Sequence, residues 1–161
     1  MSDDSFTVSP LTAADAAALA ALLQSQSADY VRFFTPFRFD EAAVSAMLAG
    51  HKSDVYSGIR WRGRLVGFFM LRGWDAGYEV PAYGVLIDEA HAGYGLTTLS
   101  LRMAKAVCKL RASARLMLKV HPANARARKL FERAGFKQTG VETATGSLVY
   151  HFDFDGPSGK I

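Results

Sequence analysis

Residues 80–120 constrain this chain most. Val80-Pro-Ala-Tyr-Gly-Val-Leu-Ile87 is a short apolar run bounded by turn residues and reads as a strand, with Pro81 placing its beginning at an edge or a bulge. Asp88–Ala92 is a connector, and Gly93 and Gly95 follow it. Leu96, Leu99, Met103, Val107 and Leu110 then recur at helical spacing, which predicts a helix from about Gly95 to about Leu110. Arg115–Val120 reads as the next strand. A strand, a crossover helix and a second strand in one sheet pair in parallel with a right-handed connection. Whatever else it forms, the chain builds a sheet with a parallel step.

The remaining segments add strands and helices around that unit. Phe6–Val8 is a candidate first strand, and Thr12 with Asp15 three residues on forms a capping box for a helix carrying Leu19, Leu22 and Leu23. Residues 29–39 are aromatic and basic, broken by Pro36. Asp40 is an N-cap for a second helix that Gly50 can end, with Phe39 and Val44 as its hydrophobic staple. Residues 54–61 and 64–72 form a hairpin turned by Arg62-Gly63. Pro122 and Asn124 open a further helix with Ala127, Leu130, Phe131 and Ala134 on its inner side and Gly135 at its end. Strands near 136–141 and 147–154 close the order, with Gly146 between them. The result is an α/β or α+β domain on a mixed sheet. Residues 1–155 are expected to form one domain and 156–161 a loose tail.

No apolar run approaches the ~20 residues that span a bilayer. The acidic start Met1-Ser-Asp-Asp lacks a signal peptide's basic and apolar regions. One cysteine, Cys108, excludes an intrachain disulfide, so a cytoplasmic setting is expected. The net charge of +4 is unevenly spread. Residues 102–137 hold 11 of the 19 Lys and Arg against one acid, Glu132, giving +10 there and −6 elsewhere. Such a segment suits a polyanion, either a phosphate-rich cofactor or nucleic acid, or else two solvated helix faces. No nucleic-acid recognition motif accompanies it. The four histidines show no metal-ligand spacing.

Two constellations bear on chemistry. His91-Ala-Gly-Tyr-Gly-Leu-Thr-Thr98 lies between a strand and a helix, where glycines admit a ligand to the backbone and a helix N-terminus favours phosphate. It is neither a P-loop nor a dinucleotide fingerprint, and a plain turn is the simpler reading of that segment alone. The second is Leu116-Met-Leu-Lys-Val-His-Pro-Ala-Asn-Ala-Arg-Ala-Arg-Lys-Leu-Phe-Glu-Arg-Ala-Gly-Phe136. This stretch resembles the GNAT acyltransferase superfamily, with Val120, Asn124, Ala127, Phe131, Gly135 and Phe136 in the places of that pattern. The hairpin at 62–68 and the loop at 91–98 resemble other parts of the same fold, so that the likeness covers roughly 54–154.

The resemblance implies a mixed, mostly antiparallel central sheet of about six or seven strands with flanking helices. Its parallel strand–helix–strand unit would bind acetyl-CoA. Backbone groups of Val85, Leu86 and Ile87 would pair with the pantetheine arm. Amides of Gly93, Tyr94, Gly95, Leu96, Thr97 and Thr98 would hold the pyrophosphate. Asn124 and Phe131 would line the cofactor, and Asn124 is also a plain N-cap. The sequence departs from the family at Ala92, where Arg or Gln is usual, and at Thr97, where the loop's last Gly or Ala stands. A register shifted to Ala90–Gly95 is the alternative. Phe131 replaces a tyrosine that protonates the departing thiolate, and a phenyl ring cannot do so.

The implied reaction is direct acetyl transfer to a primary amine in a ternary complex, with backbone amides near Val85–Ile87 facing the oxyanion. An alkylammonium must lose a proton before it attacks. Glu79 is the first candidate base, and it would share a sheet face with Tyr83, a candidate water holder or proton donor. Asp75 is a third candidate, and His121 stands where it can face an acceptor. The acceptor site implied by the family lies in the connector of the first two helices, here Tyr30, Arg32 and Phe34 with their neighbours. Its rings and arginine suit a small molecule with rings and negative charge, a nucleotide-linked amino sugar first. Protein N-termini or lysines, or a non-catalytic CoA-binding module, are the alternatives. No metal, nucleic-acid or membrane partner is expected, and a homodimer is compatible with the fold.

Overall fold

The computed structural model describes residues 4–154. The expected tail at 156–161 lies outside the described residues. Seven strands form one sheet: β1 (Phe6–Pro10), β2 (Val55–Trp61), β3 (Arg64–Arg72), β4 (Ala82–Ile87), β5 (Arg115–Val120), β6 (Lys137–Val141) and β7 (Leu148–Asp153). Their spatial order is β1-β2-β3-β4-β5-β7-β6. Every neighbouring pair is antiparallel except β4 and β5. The helices are α1 (Ala16–Gln24), α2 (Ala28–Val31), α3 (Glu41–Gly50), α4 (Leu96–Leu110) and α5 (Ala125–Arg133).

Each element follows from a local cause. Arg62 and Gly63 both take positive φ, 53° and 74°, which matches the two-residue turn whose twist suits a hairpin. The Asp40 carboxylate accepts from the Ala43 amide and starts α3. Asp15 accepts from the Thr12 amide at 2.8 Å and also grips Arg60 at 2.7 Å, so that one carboxylate ties the first helical turn to β2. The Ser27 hydroxyl accepts from the Tyr30 amide and caps α2, a single turn that leads into the aromatic stretch broken by Pro36. β4 begins at Ala82, two residues later than the apolar run suggests, because Pro81 has no N–H to give to a ladder.

β3 is apolar along nearly its whole length because both its faces are covered. Phe68 and Met70 meet α1 and α3 on one face, together with Tyr56 and Leu86. Phe69 and Leu71 meet α4 and α5 on the other, with Tyr83, Leu116, Leu118, Val120 and Tyr150. Burying each such side chain contributes about 1.5–3 kcal/mol, so these two layers hold the sheet between the helix pairs.

The inner face of α4 differs from the sequence reading. Ser100, Leu101, Ala104 and Cys108 are buried, Leu99, Met103 and Val107 flank them, and Leu110 is 87% exposed. Small residues at 100 and 104 let the helix approach the sheet closely, and a count of large apolar side chains overlooks them. Ser100 is satisfied within the core, giving its proton to the Thr97 carbonyl and accepting from Tyr83. Among the described residues no helix is long and apolar enough to cross a membrane, and no cluster of three or more potential metal ligands occurs.

Candidate active site

The parallel pair is the feature that makes a site. β4 and β5 are in register at one position only, Ala82 with Met117, and the strands part beyond it. The Met117 amide donates to the Pro81 carbonyl, and the Asp88 amide donates to Val66 on β3. Strand alternation then turns the backbone of Tyr83, Val85 and Ile87 toward the opening and that of Leu86 toward β3. Among the described residues, Val85 and the Ile87 N–H therefore offer unpaired edge groups, the Ile87 carbonyl being taken by Tyr30, whereas the Leu86 backbone belongs to the β3–β4 ladder. From Ala82 to Ile87 the open edge runs about 17 Å. It forms part of a cleft of about 1800 Å³.

The far end of that edge leads into the glycine loop. Gly93 and Gly95 adopt φ of 85° and 81°, and a Cβ at either would meet nothing within 4 Å. Their need is conformational, and the space above the loop is free for a ligand. Gly95 is the N-cap of α4, so the first-turn amides of Leu96, Thr97 and Thr98 are not used within the helix. Asn124 N-caps α5, accepting from the Ala127 amide at 3.2 Å, and it also lines the cleft. Two helix N-termini thus bear on one opening, and both favour anions. Beside them a cavity of about 590 Å³ between α4 and α5 is lined by Arg102, Lys105, Arg126, Lys129 and Arg133, with no acid. A free strand edge, two open helix ends and a cationic groove fit a pantetheine arm, a pyrophosphate and a phosphorylated nucleotide in that order. Tyr94 is exposed and packs edge-on to His91, whose Nδ1 lies 3.0 Å from the Asp88 carboxylate. Phe131 is buried at the cleft wall, its ring 6.1 Å from that of Tyr83.

The other face of the sheet holds the acceptor side. Alternation places Met117 and Lys119 of β5 and Val149 and His151 of β7 on the face opposite α4 and α5, and all four line the cleft. Above them stands the 27–39 segment. The Tyr30 hydroxyl donates to the Ile87 carbonyl at 2.7 Å, pinning α2 to the end of the open edge, and burial raises its pKa. Arg32 pairs with Asp29 at 2.8 Å and lies over the Phe33 ring at 4.5 Å. Phe33 stacks on His121, with centroids 4.4 Å apart and planes at 20°. Phe34 also lines the cleft and packs edge-on to Phe68 at the edge of the α1–α3 core.

The acid–base candidates are placed unequally. Glu79 is exposed on the cleft rim, three residues before β4, and so does not share a strand face with Tyr83. Tyr83 is buried in the α4–α5 layer and gives its proton to Ser100 at 2.6 Å. Burial pushes its hydroxyl pKa far above the ordinary tyrosine value. Asp75 lies outside the cleft lining and accepts from the amides of Ser53, Lys52 and Asp54, which lowers its pKa. It fastens two loops together, away from the cleft. Sequence reasoning missed the β7 wall, including the ion pair of Lys119 with Glu142 and the contact of His151 with Thr139. Val149, His151 and Asp153, alternating with buried Tyr150 and half-buried Leu148 and Phe152, look like any solvated strand face.

Comparison with known proteins decides the family. The sequence profile described as Acetyltransferase (GNAT) domain matches residues 5–137. The chain belongs to the GNAT acetyltransferase family. No curated protein matches the chain in sequence. Among solved structures it is similar to the GNAT domain of S. lividans PAT, at 23% identity and TM-score 0.77 over 91% of this chain and 89% of that one. It is similar to the ribosomal-protein-S18-alanine N-acetyltransferase from Escherichia coli, at 17% identity and TM-score 0.73 over 98% and 99%. A third likeness is to the aminoglycoside acetyltransferase AAC(6')-Ib in complex with coenzyme A, at 20% identity and TM-score 0.71 over 92% and 95%. This protein is thus a GNAT N-acetyltransferase, with acetyl-CoA as the acyl donor and the mixed sheet of that fold.

Proposed function

We propose that this GNAT enzyme acetylates a primary amine on a small molecule that carries a ring and negative charge, a nucleotide-linked amino sugar being the first choice. The observation that carries this reading is the stack of Arg32, Phe33 and His121 over the acceptor side of the cleft. A planar ring can extend the stack, and Arg32 offers a cation to a phosphate or carboxylate. The N-terminal or lysine amine of a peptide would find less to hold there.

Acetyl-CoA supplies an activated acyl group as a thioester. Amides of Leu96, Thr97 and Thr98, the free edge at Val85 with the Ile87 N–H, and the amide side chain of Asn124 would hold it. The free N–H groups on the β4 edge lie where they can face a developing oxyanion. Cys108 supports direct transfer over an acyl-enzyme. It is the chain's one cysteine, it is buried in α4, and burial pushes its thiol up to about 11. Glu79, exposed on the rim, suits a role in drawing the alkylammonium to the mouth. Tyr83 positions the wall through Ser100 and Phe131. With phenylalanine at 131 the thiolate leaves without an adjacent acid, which its low basicity allows.

Thiol release from acetyl-CoA, followed with UDP-linked amino sugars, aminoglycosides and N-terminal peptides, tests the reading. Turnover with the sugar nucleotides at least tenfold faster than with the others supports it. Preference for peptides would replace it with a protein acceptor.

A further inference from the structure

The acceptor face carries a histidine that the reading above leaves unused. His151 lies on β7 directly opposite Met117, and Met117 is the β5 residue in register with Ala82. Ala82, Met117 and His151 therefore form one row across three strands, at the point where the β4–β5 opening closes. His151 is one strand spacing, about 5 Å, from Met117 and about 10 Å from β4 along that row. An arm anchored at Gly93–Thr98 and laid along β4 ends at this row. The imidazole lines the same cleft as Glu79, but it is half-buried where Glu79 is exposed.

A built-in irregularity holds the ring. β6 pairs Gln138 with Tyr150 and Gly140 with Val149, so Thr139 is an extra residue in a β-bulge. Bulges re-aim side chains, and this one brings the Thr139 hydroxyl to 2.6 Å from His151 Nδ1. The same hydroxyl has the Val149 carbonyl at 3.4 Å. A hydroxyl that gives its single proton to that carbonyl accepts from Nδ1–H, which leaves the Nε2 lone pair free.

We propose that His151 is the general base of the transfer, with Thr139 as the positioning residue that fixes its tautomer. The proposal rests on the amine-acetyltransferase reading. The acceptor ammonium gives one proton to Nε2. The freed nitrogen lone pair bonds the thioester carbon as the carbon–sulfur bond breaks, and sulfur leaves with the bonding pair. The nitrogen's second excess proton goes to the thiolate, and the imidazolium returns its proton to water at the cleft mouth. Burial first, then Arg115, lower the His151 pKa, while Asp153 raises it. Arg115 and Asp153 pair with each other two residues along the same face. Lys137 stands opposite on β6, and Lys119, bound to Glu142, lies on the other side of Met117. The balance keeps the ring neutral and able to accept a proton at pH 7.

Two measurements test this. In the first, thiol release is followed for wild type, His151→Gln and Thr139→Val with the fastest acceptor and with trifluoroethylamine, which is already unprotonated at pH 7. His151→Gln should lower kcat/KM about 100-fold for an alkylammonium. The loss with trifluoroethylamine should be under about fivefold, with acetyl-CoA affinity unchanged. Equal losses for the two amines, or no loss, would overturn the assignment to His151 alone. A wild type that binds acetyl-CoA yet acetylates neither amine would overturn the amine reading beneath it and His151 with it. In the second, nitrogen NMR of the free protein should show the Nδ1–H tautomer at His151, lost in Thr139→Val. An Nε2–H tautomer in wild type would refute the proposal whatever the kinetics.

Discussion

Replacing Asn124 by aspartate should leave α5 intact and damage cofactor binding. The Asn124 side-chain oxygen accepts from the Ala127 amide at 3.2 Å, which caps the helix and leaves the NH2 group at the cleft. Aspartate keeps that oxygen and adds a negative charge that the helix N-terminus favours. It also removes the donor and sets a carboxylate beside the site for a pyrophosphate. Alanine removes cap and donor together but adds no charge. The cap is worth about 1 kcal/mol. In a domain of this size that is a fall in Tm of about 2–4 °C for Asn124→Ala, with none for Asn124→Asp. Losing one hydrogen bond of about 1 kcal/mol weakens acetyl-CoA about fivefold in Asn124→Ala. Like-charge repulsion at an effective dielectric near 20 takes Asn124→Asp beyond about tenfold. Thermal melts and calorimetric titration with acetyl-CoA give the two readouts. The two variants should therefore rank in opposite orders for stability and for affinity. If aspartate binds acetyl-CoA as well as wild type does, Asn124 is a cap alone, and α5 does not open on the cofactor.

Other outcomes follow from the same structure. Cys108, with its thiol at about 11, should resist iodoacetamide at pH 8 in the folded protein and react on unfolding; labelling of the native protein would show that α4 is not seated as described. Asp75→Ala should destabilise the protein without lowering kcat/KM. Its folded pKa is lowered, so its contribution is full above the ordinary value near 3.8 and is lost as pH falls through the folded value. The stability gap between wild type and Asp75→Ala should be constant at neutral pH and close in acid; a gap that widens in acid contradicts this. Gly95→Ala should lower Tm, since φ of 81° costs an L-residue about 1–2 kcal/mol. An unchanged melt would show that the loop relaxes out of that conformation.

Much of the architecture was legible because local signals agree with the tertiary ones. The hairpin at Arg62-Gly63, the helix caps at Asp40 and Asn124, and the strand at 115–120 all lie where residue chemistry places them. The α4 face was misread because Ser100 and Ala104 pack through small size, which hydrophobic periodicity does not register. The four-residue spacing of Glu79 and Tyr83 suggests a shared strand face, but Pro81 keeps the ladder from starting before Ala82. The cofactor side is written in consecutive residues, 85–98 and 124–131, and so can be seen in one dimension. The acceptor face is assembled from α2, β5, β6 and β7, and its key relation is a register across three strands. That relation, Ala82 with Met117 with His151, exists only once the sheet has formed.

The account depends most on the parted β4–β5 edge and the Gly93–Thr98 loop forming one cofactor site. Calorimetric titration of the full chain with acetyl-CoA tests this directly. One site per chain is expected, with Kd on the order of 1–100 µM, in the range usual for enzyme substrates. It should weaken as salt rises, because Arg102, Lys105, Arg126, Lys129 and Arg133 flank the loop. No heat at millimolar acetyl-CoA would contradict the site and every role assigned along it.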